Sequence, residues 1–444
     1  MPGRELLPDA PLDLDGYVKL GGGEGLRAAL KLPPDEVIEE VRRSGLRGRG
    51  GAGFPTGTKW RSVLEDEHPR RFLAVNGAEG EPGTFKDRWL MRRNPYAVLE
   101  GTAIAAHAIG AEHAYLGVKA AFEAEIERLG RAMHEMEEAG ILGSIPIQVV
   151  PGPDEYLFGE EKALLEVIEG NPPLPRIVPP YMEGLFRGPG QPNPTVVNNV
   201  ETLANVPFIL REGADAFREV GTERSPGAMI FTISGDVRRP GVYELPLGRS
   251  VYDLVFDVGG GPAEGRKVKA VFPGASSTVL SLEQVDTPLD FDSMRQVGSG
   301  LGSGGFVVYD DTACIVRTTL TYSRFLYIES CAQCPACKHG TGEITRLLER
   351  IERGEGSEAD LETILARALT VTDAQRCALP TGETLIVQSA VQQFWEEFAS
   401  HLGRACESDR EIPLPKFVDY DPETGFALDE RYRLKQPDWT YAEP

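Results

Sequence analysis

Apolar residues recur at helical spacing in Pro34–Ser44, where Val37, Ile38 and Val41 follow a proline suited to a first helical turn. Leu73–Gly83 starts as an apolar strand and ends in a tight acidic turn, the place where ligand-contacting side chains collect in α/β folds. Tyr156–Leu165 opens a helix after a glycine, with Glu160 and Glu161 in its first turn, where carboxylates suit the helix dipole. Over about 227–310 the pattern changes: Ala228–Ser234 predicts a strand, Asp236–Gly241 a turn, Val242–Leu245 a second strand and Ser250–Phe256 a short helix. From Tyr322 onward the period is helical. Tyr322–Ser330 predicts one helix; Ile344, Leu347, Leu348 and Ile351 line a second; Leu361, Ile364, Leu365 and Ala368, behind the capping pair Ser357 and Asp360, line a third; Val387, Val391, Phe394 and Phe398 line a fourth. The pattern predicts an α/β domain over 1–225, a small α+β module over 226–310, a helix bundle over 311–405 and, over 406–444, an extended tail lying on a partner or on the protein's own body.

With 444 residues the chain has room for two to four domains, and 41% hydrophobic with 26% charged residues is ordinary for a globular protein. No apolar run approaches the ~20 residues of a membrane span, and the first 30 residues lack a basic stretch followed by an apolar one. The expectation is a cytoplasmic protein with no direct membrane insertion, which meets a membrane only through other subunits. A net charge of −22 argues against a nucleic-acid partner.

Against that background the cysteines stand out. Residues 331–337 read Cys-Ala-Gln-Cys-Pro-Ala-Cys, and Cys377 follows 40 residues later. Three thiols at this spacing plus one distant thiol suit a [4Fe–4S] cluster on Cys331, Cys334, Cys337 and Cys377. Structural zinc is the competing ligand, although zinc sites usually draw on two separated pairs and His339 is the only histidine nearby. Cys314 and Cys406 are left over, and Cys314 reads as a small buried apolar side chain. The other dense signal is Gly45–Trp60, with glycine at 45, 48, 50, 51, 53 and 57. Gly48-x-Gly50-x-x-Gly53 fits a dinucleotide fingerprint, but a helix precedes it where a strand belongs. Arg47, Arg49 and Lys59 interleave with these glycines and predict a phosphate cradle. A second glycine-rich stretch, Gly298–Gly305, has no basic residue inside it and reads as a close-packed connector.

Six motifs, in order, carry a resemblance. They are Gly45–Trp60, Glu79–Arg88 (Glu-Gly-Glu-Pro-Gly-Thr-Phe-Lys-Asp-Arg), Gly159–Leu165, Pro194–Ala204 (Pro-Thr-Val-Val-Asn-Asn-Val-Glu-Thr-Leu-Ala), Ser234–Glu244 and the run Glu-Ser-Cys-x-x-Cys-x-x-Cys. Over roughly residues 40–400 the chain resembles the flavin- and NADH-binding subunit of respiratory complex I, which recurs in NAD-linked hydrogenases and formate dehydrogenases. The resemblance implies a Rossmann-like FMN/NADH domain, a ubiquitin-like β-grasp domain of the SLBB type and a C-terminal helical bundle holding the cluster. It implies FMN on the loop of Gly48, Arg49, Gly50, Gly51 and Gly53 with Lys59, Asn76, Glu79, Tyr156, Gly159, Glu160, Asn198, Asn199 and Thr202. NADH would meet Phe54, with Glu161 and the catalytic Glu81 lining its pocket. Hydride would pass from NAD(H) to FMN, and single electrons onward to the [4Fe–4S] cluster, a thioredoxin-like [2Fe–2S] subunit and a further Fe–S subunit. Four positions depart from the family pattern: Ala78 stands for an aspartate, Val178 and Tyr181 for a lysine and a phenylalanine, and Ser62 for a second stacking phenylalanine. These departures leave an alternative, a relay or assembly subunit that keeps FMN and cluster without binding NADH.

Overall fold

The structure, a computed structural model, describes residues 5–143 and 145–443. The chain divides into two compact units, Met1–Gly80 with Phe85–Phe231 and Val242–Gly248, and Glu81–Thr84 with Thr232–Gly241 and Arg249–Pro444.

The first unit is built on a parallel sheet in the order β3-β2-β1-β4, from β1 (Phe72–Asn76), β2 (His113–Lys119), β3 (Ile147–Gly152) and β4 (Thr195–Asn199). β1 has neighbours on both edges, so Phe72–Val75 is buried without alternation, as an interior parallel strand requires. Helix α1 (Pro34–Ser44) begins on its proline and ends at Gly45 in the left-handed region (φ 71°). Helix α2 (Thr56–Leu64) follows the glycine loop and contains Gly57, where a Cβ would stand 2.7 Å from the Arg42 backbone. That glycine is therefore a packing contact between α1 and α2, within what the glycine density predicts to be loop. After β1 come α3 (Lys86–Arg93) and α4 (Pro95–Ile109). The second is capped by Asn94, whose side chain accepts from the Ala97 amide, and is buried over nearly its whole length. Helix α5 (Glu123–Glu138) leads to β3, a 3₁₀ turn (Tyr156–Gly159) leads to α6 (Glu161–Ile168), and β4 runs directly into the short α7 (Val200–Ala204).

A mixed sheet follows in the order β6-β5-β9-β7-β8, from β5 (Ala228–Gly235), β6 (Gly241–Pro246), β7 (Val268–Phe272), β8 (Leu280–Ser281) and β9 (Gly305–Asp310), the last three in the second unit. β9 runs parallel to β5 and antiparallel to β7. The helix expected over Ser250–Phe256 is a wide π-type turn over Asp253–Val258. The bundle comprises α8 (Ile315–Glu329), α9 (Pro335–Glu352), α10 (Glu358–Ala368) and α11 (Leu379–Gln393). Phe394 breaks the fourth predicted helix, so that α12 (Trp395–Ser400) is a separate piece. The Ser357–Asp360 capping box forms as the sequence predicts. The tail is not bare extended chain: β10 (Phe417–Asp421) and β11 (Gly425–Leu428) make a hairpin whose Phe417, Tyr420 and Phe426 rings stack. Its last residues lie on the end of α8, where the buried Glu329 accepts from Tyr432 and Lys435 at 2.8 Å each and Trp439 donates to the Ile328 carbonyl.

Candidate cofactor sites

The parallel order β3-β2-β1-β4 places a crevice beyond the C-terminal ends of β1 and β4, the position open α/β sheets use for ligands. Register aligns Asn76 with Asn199 and Val75 with Asn198, so the polar ends of the two strands are side by side. The glycine loop closes over this edge. Arg49 donates its backbone N–H to Thr202 Oγ1 at 2.8 Å, Gly48 donates to the Phe54 carbonyl at 2.9 Å, and Arg47 Nε ties the loop to the Gly53 carbonyl. Gly51 and Gly53 have φ of 134° and 63°, which other residues rarely adopt. A Cβ on Gly50 would come within 3.1 Å of the Asn199 side chain, and one on Gly159 within 2.9 Å of the Ala78 carbonyl, so side chains there would intrude on the crevice wall. Lys59 reaches the Val197 carbonyl (3.2 Å) and Glu161 (3.4 Å), Trp60 Nε1 donates to Asn198 Oδ1 (2.7 Å), and Asn76 Nδ2 donates to the Gly159 carbonyl (2.7 Å). Backbone amides, an ammonium and carboxamides around a glycine cradle form a donor-rich set that suits a phosphate and polyol chain such as that of FMN.

Beneath the cradle lies a buried charge network. Lys86, fully buried, pairs with Asp87 at 2.6 Å and Glu201 at 2.7 Å, and Asn199 Nδ2 donates to Asp87 at 2.7 Å. Burial alone would lower the Lys86 ammonium, but the Asp87, Glu201 and Glu79 carboxylates outweigh it and raise it. Glu79 accepts from the Asp87 and Arg88 amides at the head of α3; burial, then the Asp87 charge, push its carboxyl up to about 7. Glu160 caps α6 through the Lys162 and Ala163 amides, and burial likewise raises it to about 7. The Arg49 side chain turns inward to the Pro226 carbonyl, and burial lowers its guanidinium to about 10, still charged at neutral pH. Sequence reasoning singled out neither Lys86 nor Lys119. Lys119 is buried at the end of β2, where its ammonium bonds the Asp154 carbonyl at 2.9 Å. A lysine closing an apolar strand was the available signal for it.

The remaining candidates fall in several places. Phe54 is half exposed beside the glycine loop, and Tyr156 opens the 3₁₀ turn before α6. Ser62 lies exposed on α2, its hydroxyl donating to the Lys59 carbonyl, while Ala78 packs in an apolar cluster with Phe72, Phe158 and Leu164. Val178 and Tyr181 sit on the loop that Arg176 braces through Glu166, Glu169 and the Gly184 carbonyl. Glu81 belongs to the second unit, where its carboxylate accepts from the Ala275 amide (2.7 Å) and the Ser276 hydroxyl (2.9 Å).

In the second unit the cysteine run fills the turn between α8 and α9, with Cys337 in the first turn of α9 and Cys377 just ahead of α11. Helix α11 packs against both α8 and α9. Ala332 adopts φ 61°, the left-handed kink that lets a short run curl. Ser330 Oγ lies 3.2 Å from Cys337 Sγ and Gln333 Nε2 donates to Cys331 Sγ at 3.5 Å, polar contacts of the kind that stabilise thiolate sulfur. Burial pushes the Cys337 thiol up to about 11.

Comparison with known proteins agrees with this division of labour. The family model for the Nuo51 FMN-binding domain matches residues 41–208, the SLBB domain residues 230–279, and the NADH-ubiquinone oxidoreductase-F iron-sulfur binding region residues 317–401. A subunit of the NADH-quinone oxidoreductase of Rhizobium meliloti is 42% identical over 413 residues, covering 90% of this chain and 97% of its own. The chain belongs to the Nuo51 family. Subunit HndC of an NADP-reducing hydrogenase from Solidesulfovibrio fructosivorans is 36% identical, covering 88% of this chain and 81% of its own. A crystal structure of an NAD⁺-reducing [NiFe]-hydrogenase superposes with a TM-score of 0.79 at 34% identity, over 90% of this chain and 68% of that one. As a Nuo51 family member the chain is a flavin- and iron–sulfur-binding oxidoreductase subunit with an α/β FMN domain, an SLBB domain and a helical [4Fe–4S] domain. Its relatives are by name subunits of larger enzymes. Among the described residues no helix is long and apolar enough to cross a membrane.

Proposed function

We propose that this subunit takes hydride from NADH onto FMN in the β1/β4 crevice and passes electrons singly to a [4Fe–4S] cluster on Cys331, Cys334, Cys337 and Cys377. From there they would leave for partner Fe–S subunits, a thioredoxin-like [2Fe–2S] protein among them. The observation that carries the proposal is the convergence of Gly48–Gly53, Lys59, Asn76, Asn198, Asn199 and Thr202 on one sheet edge, within one compact unit. FMN supplies the conversion from two-electron to one-electron chemistry. The chain's residues supply binding and orientation: the loop amides and Lys59 would hold anionic oxygens, Asn76 and Asn198 would offer amide donors to hydroxyls, and the Lys86 network fixes Asn199 and the strand end that carries it. Exposed Phe54 offers an aromatic face to a nicotinamide nucleotide.

Anaerobic addition of NADH to the purified protein should bleach the flavin absorbance and produce the electron paramagnetic resonance signal of a reduced cluster. The departures at Ser62, Ala78, Val178 and Tyr181 favour a second reading, a relay that draws electrons from another subunit. Flavin unchanged by NADH yet bleached by dithionite would select that relay.

A further inference from the structure

We propose that Cys314, His401 and Cys406 bind a zinc(II) ion, separate from both cofactor sites. Their ligand atoms all lie within 4.8 Å of one another, the one such group of three among the described residues. Cys314 Sγ stands 3.4 Å from His401 Nε2, where tetrahedral zinc with ordinary bond lengths would hold sulfur and nitrogen about 3.5 Å apart. The histidine is already set for the task. Its Nδ1 lies 2.8 Å from the Glu397 carbonyl, the hydrogen bond that puts the proton on Nδ1 and leaves the Nε2 lone pair facing the thiols. Cys314 is the N-cap of the 15-residue α8, and its sulfur accepts from the Arg317 amide at 3.5 Å, a position that favours thiolate. The Cys406 backbone is held by its own N–H on the Glu352 carbonyl at 3.1 Å.

A cavity of about 270 Å³ opens on all three residues, with Lys269, Glu397 and Arg404 among its walls, and leaves room for a water as fourth ligand. Two thiols and a neutral imidazole take up zinc(II) with release of two protons and no change of oxidation state, giving an uncharged centre. Two thiolates with an imidazole select zinc over magnesium or calcium. The ion would join the start of α8, the end of α12 and the first residues of the tail. α8 runs from Cys314 to the cysteine run, about 22 Å for its length, so this ion would not share ligands with the cluster. Sequence spacing hides the site, because 87 residues separate Cys314 from His401.

The test is metal analysis of untagged protein carrying its flavin and cluster, with iron as internal reference, beside the Cys406→Ser and His401→Ala variants. The expected result is one zinc with four irons per chain in the parent, and a fall in zinc of about tenfold or more in each variant with iron and flavin unchanged. Cobalt(II) offered to the parent should also give tetrahedral ligand-field bands at wavelengths beyond the flavin absorbance, a readout that stands if a variant fails to fold. Three results would overturn the proposal. One is parent protein from zinc-supplemented cells with neither zinc nor cobalt bands; another is zinc that survives Cys406→Ser; the third is a Cys314–Cys406 disulfide found by mass spectrometry after alkylation.

Discussion

The proposed flavin crevice and the proposed cluster turn differ in how they are built to hold a charged cofactor. In the first unit, ions are buried in compensated sets: Lys86 with Asp87 and Glu201, Arg88 and Arg92 with Glu125. These sets join α3 to α5 and α7, helices far apart in sequence, so the network exists only when the unit has folded. In the second unit, three of the four candidate ligands sit within seven residues, and the nearby buried carboxyl, Glu383, is held by a single hydroxyl, Ser323, at 2.6 Å. A site made locally can lose its cofactor without disturbing the rest; a site made by a distributed ion network cannot.

The largest break in that comparison is Cys377→Ala. It should destroy or convert the cluster and leave FMN stoichiometry unchanged, because the residues proposed to hold the flavin all precede about residue 205 and belong to the first unit. An unchanged [4Fe–4S] signal in the reduced variant would remove Cys377 from the ligand set.

Next comes the lone carboxyl. Burial raises Glu383 from 4.5 to about 8, so the folded state keeps a proton that the unfolded chain releases. The unfolded state then binds fewer protons between these values, and stability falls as pH rises from about 4.5 to about 8. At about 1.4 kcal/mol per pKa unit the upper bound is near 5 kcal/mol. Glu383→Gln should flatten this slope and raise the melting temperature at pH 9 but not at pH 4.5. Parallel pH profiles for parent and variant would count against the buried neutral carboxyl.

Lys86→Met should act on the other region in the opposite sense. It leaves Asp87 and Glu201 buried without their cation, a loss of roughly 3–5 kcal/mol. Denaturant titration of the FMN-loaded protein should show it, together with weaker FMN retention, since Asp87 positions Asn199. Loss of stability under 1 kcal/mol would mean that the network is not what holds the strand ends.

What was legible in the sequence follows the same contrast. The Ser357 cap and α1 are local patterns and form where the spacing puts them, and the glycine loop forms as far as Pro55, where α2 takes over. The sequence places this helix over Tyr322–Ser330, whereas α8 already begins at Ile315: the Thr318, Thr319 and Thr321 hydroxyls bond back to the Cys314, Ile315 and Arg317 carbonyls and let a polar run be helical. Gly57 was hidden for the converse reason, a helical glycine demanded by the close approach of Arg42. The Lys86 network, the tail hairpin and the Cys314–His401–Cys406 group depend on pairings across long sequence separations that no single-chain periodicity encodes.

The smallest effect expected belongs to Val178, and it bears on whether the nicotinamide side of the crevice has been weakened while the flavin side was kept. The backbone there is not free to adapt: Thr195 donates to the Pro180 carbonyl at 3.0 Å and Arg176 clamps the loop on both sides of Val178. A lysine restored at 178 would thus be presented from a fixed position. A charge-assisted hydrogen bond contributes about 1.5–3 kcal/mol, one to two powers of ten in affinity. Tyr181, about half exposed on the same loop, supplies an aromatic face in either variant, so stacking should not change between them. Stopped-flow reduction of the flavin across NADH concentrations should then show weak binding in the parent and tighter binding in Val178→Lys. The limiting reduction rate should change little, because the added contact is made equally by bound NADH and by the transition state. Tight binding in the parent that the lysine leaves unchanged would place the nucleotide elsewhere on the first unit and detach this loop from its pocket.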